Sequence, residues 1–290
     1  MLPLATGDAA RTLQAGRDAQ RLGYDGVFSF DHLHAPGDPA RPSLESFTVL
    51  AAIAAVCPEL VVGTLVARAG LRPVGILAKM AAQLDDLSGG KAIIGLGAGD
   101  PGSHDELVRF GISDPLTQGE RRTLLGETAS AVRALLHGEA WQGGEVTPPL
   151  DGPLLPPPVR TGGPPVWLGG ISDAVVALAA RVADGWNGWG LGVEAFGAKG
   201  QVLARAAAEA GNQCEATWGG ICVIATDEHD LKRRLQERRE RDRSFKGVWT
   251  GTMSTFAAFA SELEGAGSKW LIVASGSEGS TEAAPLSLGR

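Results

Sequence analysis

Cysteine is scarce in this 290-residue chain. Cys57, Cys214 and Cys222 are odd in number, scattered, and form no CxxC pair. That argues against a disulfide framework or a zinc site, and no metal ligands are assigned. It fits reduced core thiols in a cytoplasmic protein. No uninterrupted apolar run approaches the roughly 20 residues of a bilayer-crossing helix. The first residues also lack the basic-then-apolar pattern of a secretion signal. Positive charge is in deficit, with 26 Lys and Arg against 33 Asp and Glu, a net charge of −7 and a pI near 5.3. This balance argues against nucleic acid or an anionic membrane as partner. The run Lys232–Arg243 does not reverse that conclusion. Its charges are mixed, no aromatics interleave, and it fits the solvated face of a helix.

The stretch Leu84–Asp100, LDDLSGGKAIIGLGAGD, organises what is present. Leu77, Met80, Ala81, Leu84 and Leu87 recur at helical spacing, and Ser88-Gly89-Gly90 ends that helix. Ala92–Leu96 reads as a strand buried on both faces. Gly95, Gly97 and Gly99 then leave bare backbone up to Asp100, which suits either close approach by a flat ligand or an ordinary glycine-rich turn. Before this stretch, the expected elements are a helix over 9–22 capped by Asp8, a strand over 27–30, a helix over 44–56 and a strand over 60–66. Ala35–Pro42 and Pro101–Pro115 read as irregular loops. Beyond them come a helix over 120–136, a Gly- and Pro-rich excursion over 137–164, and a strand over 165–168. Trp141 and Val146 flanking Gly143-Gly144 suggest a short hairpin in that excursion. Helices over 173–182, 193–210, 228–242 and around Phe256–Leu263 alternate with strands over 185–190, 218–225, 247–250 and 270–274. Ser275–Arg290 reads as a loose tail.

Strand and helix alternate throughout, which implies a parallel sheet with helices outside. About eight such units favour a closed barrel, whose loops after the strands gather at one mouth. That would bring Asp31-His32, Leu65–Arg68, Ala98–Asp100 and Gly169–Ser172 to the same cavity. His32 is able to exchange a proton near neutral pH with Asp31 fixing its tautomer, or Asp31 simply caps the next turn and bonds the histidine. Gly169-Gly170-Ile171-Ser172 opens a helix, so its amides suit a phosphate, although Ser172 also serves as an N-cap without one. Trp186 and Trp189 line the mouth or fill the core, with the core favoured for one of them.

Several stretches together resemble the bacterial luciferase-like monooxygenase family, especially its branch using the deazaflavin coenzyme F-420. They are GYDGVFSFDHL (Gly23–Leu33), VVGTLV (Val61–Val66), Arg72-Pro73, AKMAAQLDDLSGGKAIIGLGAGD, PLTQGERRTLLGE (Pro115–Glu127) and PPVWLGGISDAVVALAARVADGWN (Pro164–Asn187). The resemblance implies an α/β fold, the (β/α)8 TIM barrel with an insertion between the fourth and fifth units, in one domain over 1–290, often dimeric. It implies an oxidoreductase passing a hydride between a small organic substrate and F-420. The alternatives are a monooxygenase using reduced FMN and oxygen, and a barrel that binds a ligand without catalysis.

The family pattern implies that His32 lies beside the cofactor ring, Asp31 contacts the coenzyme, and Asp100 assists proton transfer. It implies a non-prolyl cis peptide behind the ring, at Leu65–Val66, and cofactor contacts from Arg68, Ala98, Gly99 and Ser103. The phosphate would sit on Gly169, Gly170, Ile171 and Ser172. Three departures stand out. The first strand, near Met1–Leu4, is cut short. The loop after Asp31-His32 lacks a tryptophan found in sugar-phosphate dehydrogenase members. The usual SGGR reads Ser88-Gly89-Gly90-Lys91.

Overall fold

The structure, a computed structural model, describes residues 1–36, 38–99, 104–112, 116–241 and 243–276. After a 3-10 turn at Leu4–Thr6, the elements of the first half are α1 (Ala9–Arg21), β1 (Gly26–Ser29), β2 (His34–Ala35), β3 (Asp38–Pro42), α2 (Ser46–Val56), β4 (Val61–Arg68), α3 (Val74–Leu87), β5 (Ala92–Gly97), α4 (His104–Arg109) and α5 (Gln118–Leu136). The second half contains β6 (Val166–Gly169), α6 (Asp173–Val182), β7 (Gly185–Trp189), α7 (Val193–Ala210), β8 (Glu215–Ala225), α8 (Glu228–Glu240), β9 (Val248–Thr252), α9 (Met253–Gly265) and β10 (Leu271–Ser275). The chain divides into two compact units. One comprises Leu2–Gly169 with Val182–Asp184, and the other comprises Met1, Gly170–Arg181 and the chain from Gly185 onward.

In the first unit, β1, β4, β5 and β6 form parallel pairs in that order, with Phe28 opposite Gly63, Thr64 opposite Ile94 and Gly95 opposite Trp167. Every residue of β5 is buried, as its apolar run demands. Phe28 stacks on Trp167 with ring centres 5.8 Å apart. Gly63 makes room for that stack, because a Cβ there would stand 2.6 Å from the Phe28 ring. Helix starts follow side-chain chemistry. Asp8 accepts the Arg11 amide, Glu45 accepts those of Phe47 and Thr48, and Thr117 and Glu120 form a capping box. Helix α3 stops at Gly89 and Gly90, both at positive φ.

In the second unit, β7 pairs with β8 in parallel. The eleven-residue β8 carries β10 along its middle, over Trp218–Cys222, and β9 along its end, over Ile221–Ala225. Trp186 is fully buried, stacked on Phe196 at 5.5 Å, while Trp189 is half-buried. The core is therefore the place of the first tryptophan, as expected. Helix α8 presents a largely solvated charged face, with Arg233 and Arg234 paired to Asp230. Arg238 departs from that pattern. It is buried, donates to the Ser244 and Gly276 carbonyls and lies over the Phe245 ring.

Three loop expectations are corrected. Ala35–Pro42 contains a two-stranded antiparallel ribbon, His34 opposite Pro42 and Ala35 opposite Asp38. A ribbon this short leaves most amides outside the ladder, so its prolines forfeit little. The polar stretch over 101–115 contains α4, anchored by buried Leu107 and Glu106. The hairpin expected around Gly143-Gly144 reduces to a single bridge, Trp141 to Leu150. Glu127 gathers the intervening chain instead, accepting the amides of Glu145, Val146 and Thr147.

Burial pushes the Cys222 thiol up to about 12, although the N-terminal ammonium opposes it. Cys57 is likewise buried and raised. Neither is a thiolate nucleophile near neutral pH. Among the described residues, no helix is long and apolar enough to cross a membrane.

Candidate functional site

Strand β1 ends just before Asp31-His32, and β4 carries Leu65, Val66 and Arg68 at its own C-terminal end. The Leu65–Val66 peptide is cis. Register between β4 and β5 shifts between Thr64 and Ala67, which turns Val66 across β5. A Cβ on Gly97 would lie 2.4 Å from one Val66 methyl, and one on Gly169 would lie 2.8 Å from the other. A Cβ on Gly95 would meet the Thr64 carbonyl at 2.4 Å. The bare backbone of Gly95 and Gly97 is therefore filled by β4, not held open for a flat ligand. This corrects the first of the two readings of those glycines. Val66 itself is half-buried, as is Ala98, while Gly99 is exposed at φ 73°.

Asp31 is 4% exposed, and protein donors engage both its oxygens. Arg72 Nη1 donates to Oδ2 at 2.6 Å and Nη2 to Oδ1 at 2.9 Å, and the Arg68 amide donates to Oδ2 at 3.2 Å. Arg72 also donates to Glu45 Oε1 at 2.6 Å and lies 5.0 Å over the Phe47 ring. Burial works against the Arg72 charge, but Asp31 and Glu45 outweigh it and raise its pKa further. Asp31 is thus neither a simple turn cap nor the partner of His32.

The partner of His32 is Glu106 of α4. His32 Nδ1 lies 3.1 Å from Glu106 Oε2 and 3.4 Å from Arg68 Nη2. Arg68 Nη2 donates to the same Oε2 at 2.6 Å. On the other oxygen, Glu106 accepts the amides of Leu33 and His34, the latter at 3.2 Å. Burial pushes the Glu106 pKa up, but Arg68, His32 and the Leu33 amide more than reverse this and hold it at about 2. Arg68 is 6% exposed, so it is no solvated loop charge. No described residue meets His32 Nε2 within hydrogen-bond distance, and the side chain keeps 23% exposure.

In the second unit, the Gly170 amide donates to the Asn187 carbonyl, and Trp186 Nε1 donates to the Gly170 carbonyl at 2.6 Å. Ser172 Oγ accepts the Val175 amide at 3.3 Å, so it does N-cap α6. Among the described residues, no acceptor faces the amides of Ile171 and Ser172. Ile171 is 51% exposed.

Of the site residues expected from sequence, Asp31, His32, Leu65, Val66, Arg68, Ala98, Gly99 and Gly169 lie in the first unit. Gly170, Ile171 and Ser172 lie in the second. Asp100 and Ser103 lie outside the described residues. Sequence reasoning missed Glu106 and the pairing of Arg72. Arg72-Pro73 stands out in the sequence only as a motif without a role, and Glu106 directly precedes an apolar Leu107-Val108 pair, a weak signal for an inward-facing carboxylate.

The profile of the luciferase-like monooxygenase family matches residues 2–279. The chain belongs to this family, and its fold class is the family's (β/α)8 barrel. Among solved structures it is similar to the coenzyme F-420-dependent tetrahydromethanopterin reductase from Methanopyrus kandleri, with a TM-score of 0.79 at 17% identity over 98% of this chain and 95% of that one. An F-420-dependent secondary alcohol dehydrogenase gives 0.77 at 15%, over 92% and 89%. A monooxygenase from Streptomyces bottropensis gives 0.73 at 21%, over 94% and 89%.

Proposed function

We propose that this chain is an oxidoreductase in which a hydride passes between a small organic substrate and the deazaflavin coenzyme F-420. His32 exchanges the substrate's proton. The observation that carries this reading is the state of the His32 ring, with Nδ1 against a buried carboxylate at 3.1 Å and Nε2 without a described partner. An imidazole held at one nitrogen presents the other to a reacting group.

The residues present fit the coenzyme's chemistry. Half-buried Val66 and Ala98 offer an apolar surface at the strand ends for a planar ring. In the second unit, taken by itself, the amides of Ile171 and Ser172 at the start of α6 have the chemistry to accept an anion such as a phosphate. When bound, the deazaflavin supplies or accepts the hydride. The chain's own contribution is to hold the ring, exclude water and manage one proton. In the oxidative direction, a substrate hydroxyl gives its proton to His32 Nε2 as the adjacent C–H bond yields its hydride. The reverse direction returns both. The carboxylate of Asp31, already engaged by Arg72, orders the loop that carries His32.

The test is a fluorescence titration of the purified protein with deazaflavin and, separately, FMN, followed by turnover against an alcohol and ketone panel. Binding of deazaflavin, with turnover lost in H32Q, is the expected result. Preference for FMN would replace this reading with the oxygen-using monooxygenase. Binding without turnover would favour a non-catalytic role.

A further inference from the structure

We infer that Glu106 is a positioning residue that holds His32 with its proton on Nδ1 and its Nε2 bare. This rests on the reading of His32 as the proton-exchanging group.

Three of the four groups around the Glu106 carboxylate are donors by their chemistry. The Leu33 and His34 amides meet Oε1, and Arg68 Nη2 meets Oε2. Only a group that purely accepts satisfies them all, and an ionised carboxylate does so. The fourth neighbour, His32 Nδ1, stands between Oε2 at 3.1 Å and Arg68 Nη2 at 3.4 Å. It has two options. A protonated Nδ1 donates to Oε2. A bare Nδ1 would accept from Arg68 but would set its lone pair against Oε2 at the shorter of the two distances. The Arg68 nitrogen already donates to Oε2 at 2.6 Å, so the first option satisfies all four contacts and the second leaves a repulsion.

Among the described residues, the remaining titratable neighbours in this loop are engaged elsewhere. Asp31, next in the chain, is bound by Arg72 and the Arg68 amide. His34 turns its Nδ1 to the Ala35 carbonyl at 3.1 Å. The carboxylate is itself fixed by burial, with the Glu106 side chain 1% exposed and Leu107 beside it 4% exposed. Glu106 thus does for His32 what sequence reasoning assigned to Asp31, from a residue 74 positions away.

The test is the tautomer of His32 in the full-length, ligand-free protein. It is read from the two ring nitrogen shifts in a long-range proton–nitrogen correlation spectrum, about two pH units above the ordinary imidazole pKa. The chain has five histidines, and H32Q assigns the signal. The expected wild-type result is an excess of the Nδ1–H form of about tenfold or more, the ratio a charge-assisted bond supports. In E106Q the amide oxygen takes the two backbone N–H groups and its NH2 turns to His32. The ring should then switch to the Nε2–H form, and E106D should restore the wild-type form. A wild-type Nε2–H form or an even mixture would overturn the inference, as would an unchanged ring in E106Q. If E106Q fails to fold, the wild-type spectrum decides alone. No cofactor or substrate enters the measurement. The expected tautomer together with H32Q turning over normally would refute the proton role while leaving the positioning by Glu106 intact.

Discussion

Substituting Gly97 by alanine tests whether Val66, turned across β5 by the register shift, is the reason for the glycines at the end of that strand. The new Cβ would stand 2.4 Å from one Val66 methyl and 3.4 Å from the Val66 Cβ. Two carbons rest at about 3.5–4.0 Å, so the overlap exceeds about 1 Å. Valine is stiff about χ1 and does not swing clear cheaply. Its other methyl would lie 3.3 Å from a Cβ on Gly95 and 2.8 Å from one on Gly169, so rotation exchanges one seat for another. Overpacking of this kind costs about 1–3 kcal/mol. V66A removes both methyls and by itself costs about 1 kcal/mol for a half-buried side chain. The double-mutant cycle is read from urea denaturation. G97A should cost about 2 kcal/mol in the wild type and close to nothing in V66A. G95A is the control, because its Cβ meets the Thr64 carbonyl at 2.4 Å and V66A cannot relieve a backbone clash. If G97A costs the same in both backgrounds, or nothing in either, Val66 is not what the glycine accommodates.

Three further outcomes are expected. Glu106 is held at about 2 against an ordinary 4.5. Its folded-state pKa is depressed, so its stabilisation is fully present above about pH 4.5 and drains away as pH falls towards 2. The shift corresponds to about 3 kcal/mol, so wild type should lose about that much more stability than E106Q between pH 6 and 2 in denaturant titrations, and parallel losses would contradict it. R72M leaves the buried Asp31 carboxylate without its paired guanidinium and should cost about 3–5 kcal/mol, with D31N recovering part of that loss in the same cycle. G200A in α7 should raise stability by about 0.5–1 kcal/mol by thermal denaturation, since a Cβ there comes no nearer than 3.9 Å to another atom.

Most of the architecture was legible because it rests on local patterns. The helical stripe, the glycine stop after it, and the apolar run of β5 each carry their own signal within about a dozen residues, and the structure follows them, except that Leu87, expected in the stripe, is 54% exposed at the helix end while Leu77, Ala81 and Leu84 are buried. The site was only half legible. Asp31-His32 and Arg68 were identified, but their partners Arg72 and Glu106 lie 41 and 74 residues away from Asp31 and His32, and no local period marks such pairs. Helix α4 was read as irregular because polar HDELVR shows no apolar stripe. Its order comes from Glu106 and Leu107, whose partners are tertiary. The cis peptide at Leu65–Val66 came from family resemblance alone. The glycines of β5 did announce close approach, but not whether ligand or protein would approach.

The two arginine–carboxylate groups decide which member of the cluster remains available for chemistry. Around Arg68 and Arg72 stand Asp31, Glu45 and Glu106, so the guanidinium charges are already matched by carboxylates. A buried Arg68 engaged by Glu106 at 2.6 Å is a poor receptor for a phosphate or an acidic tail, because an incoming anion would have to displace a carboxylate that also binds two backbone amides. Asp31, fixed by Arg72 on both oxygens, is equally committed. His32 differs from all of them. It touches the cluster through one nitrogen only and remains partly exposed. The arginines therefore fix the carboxylates, and among the described members of the cluster His32 is the ring whose second nitrogen is left open, which is why the proposed proton exchange falls to it.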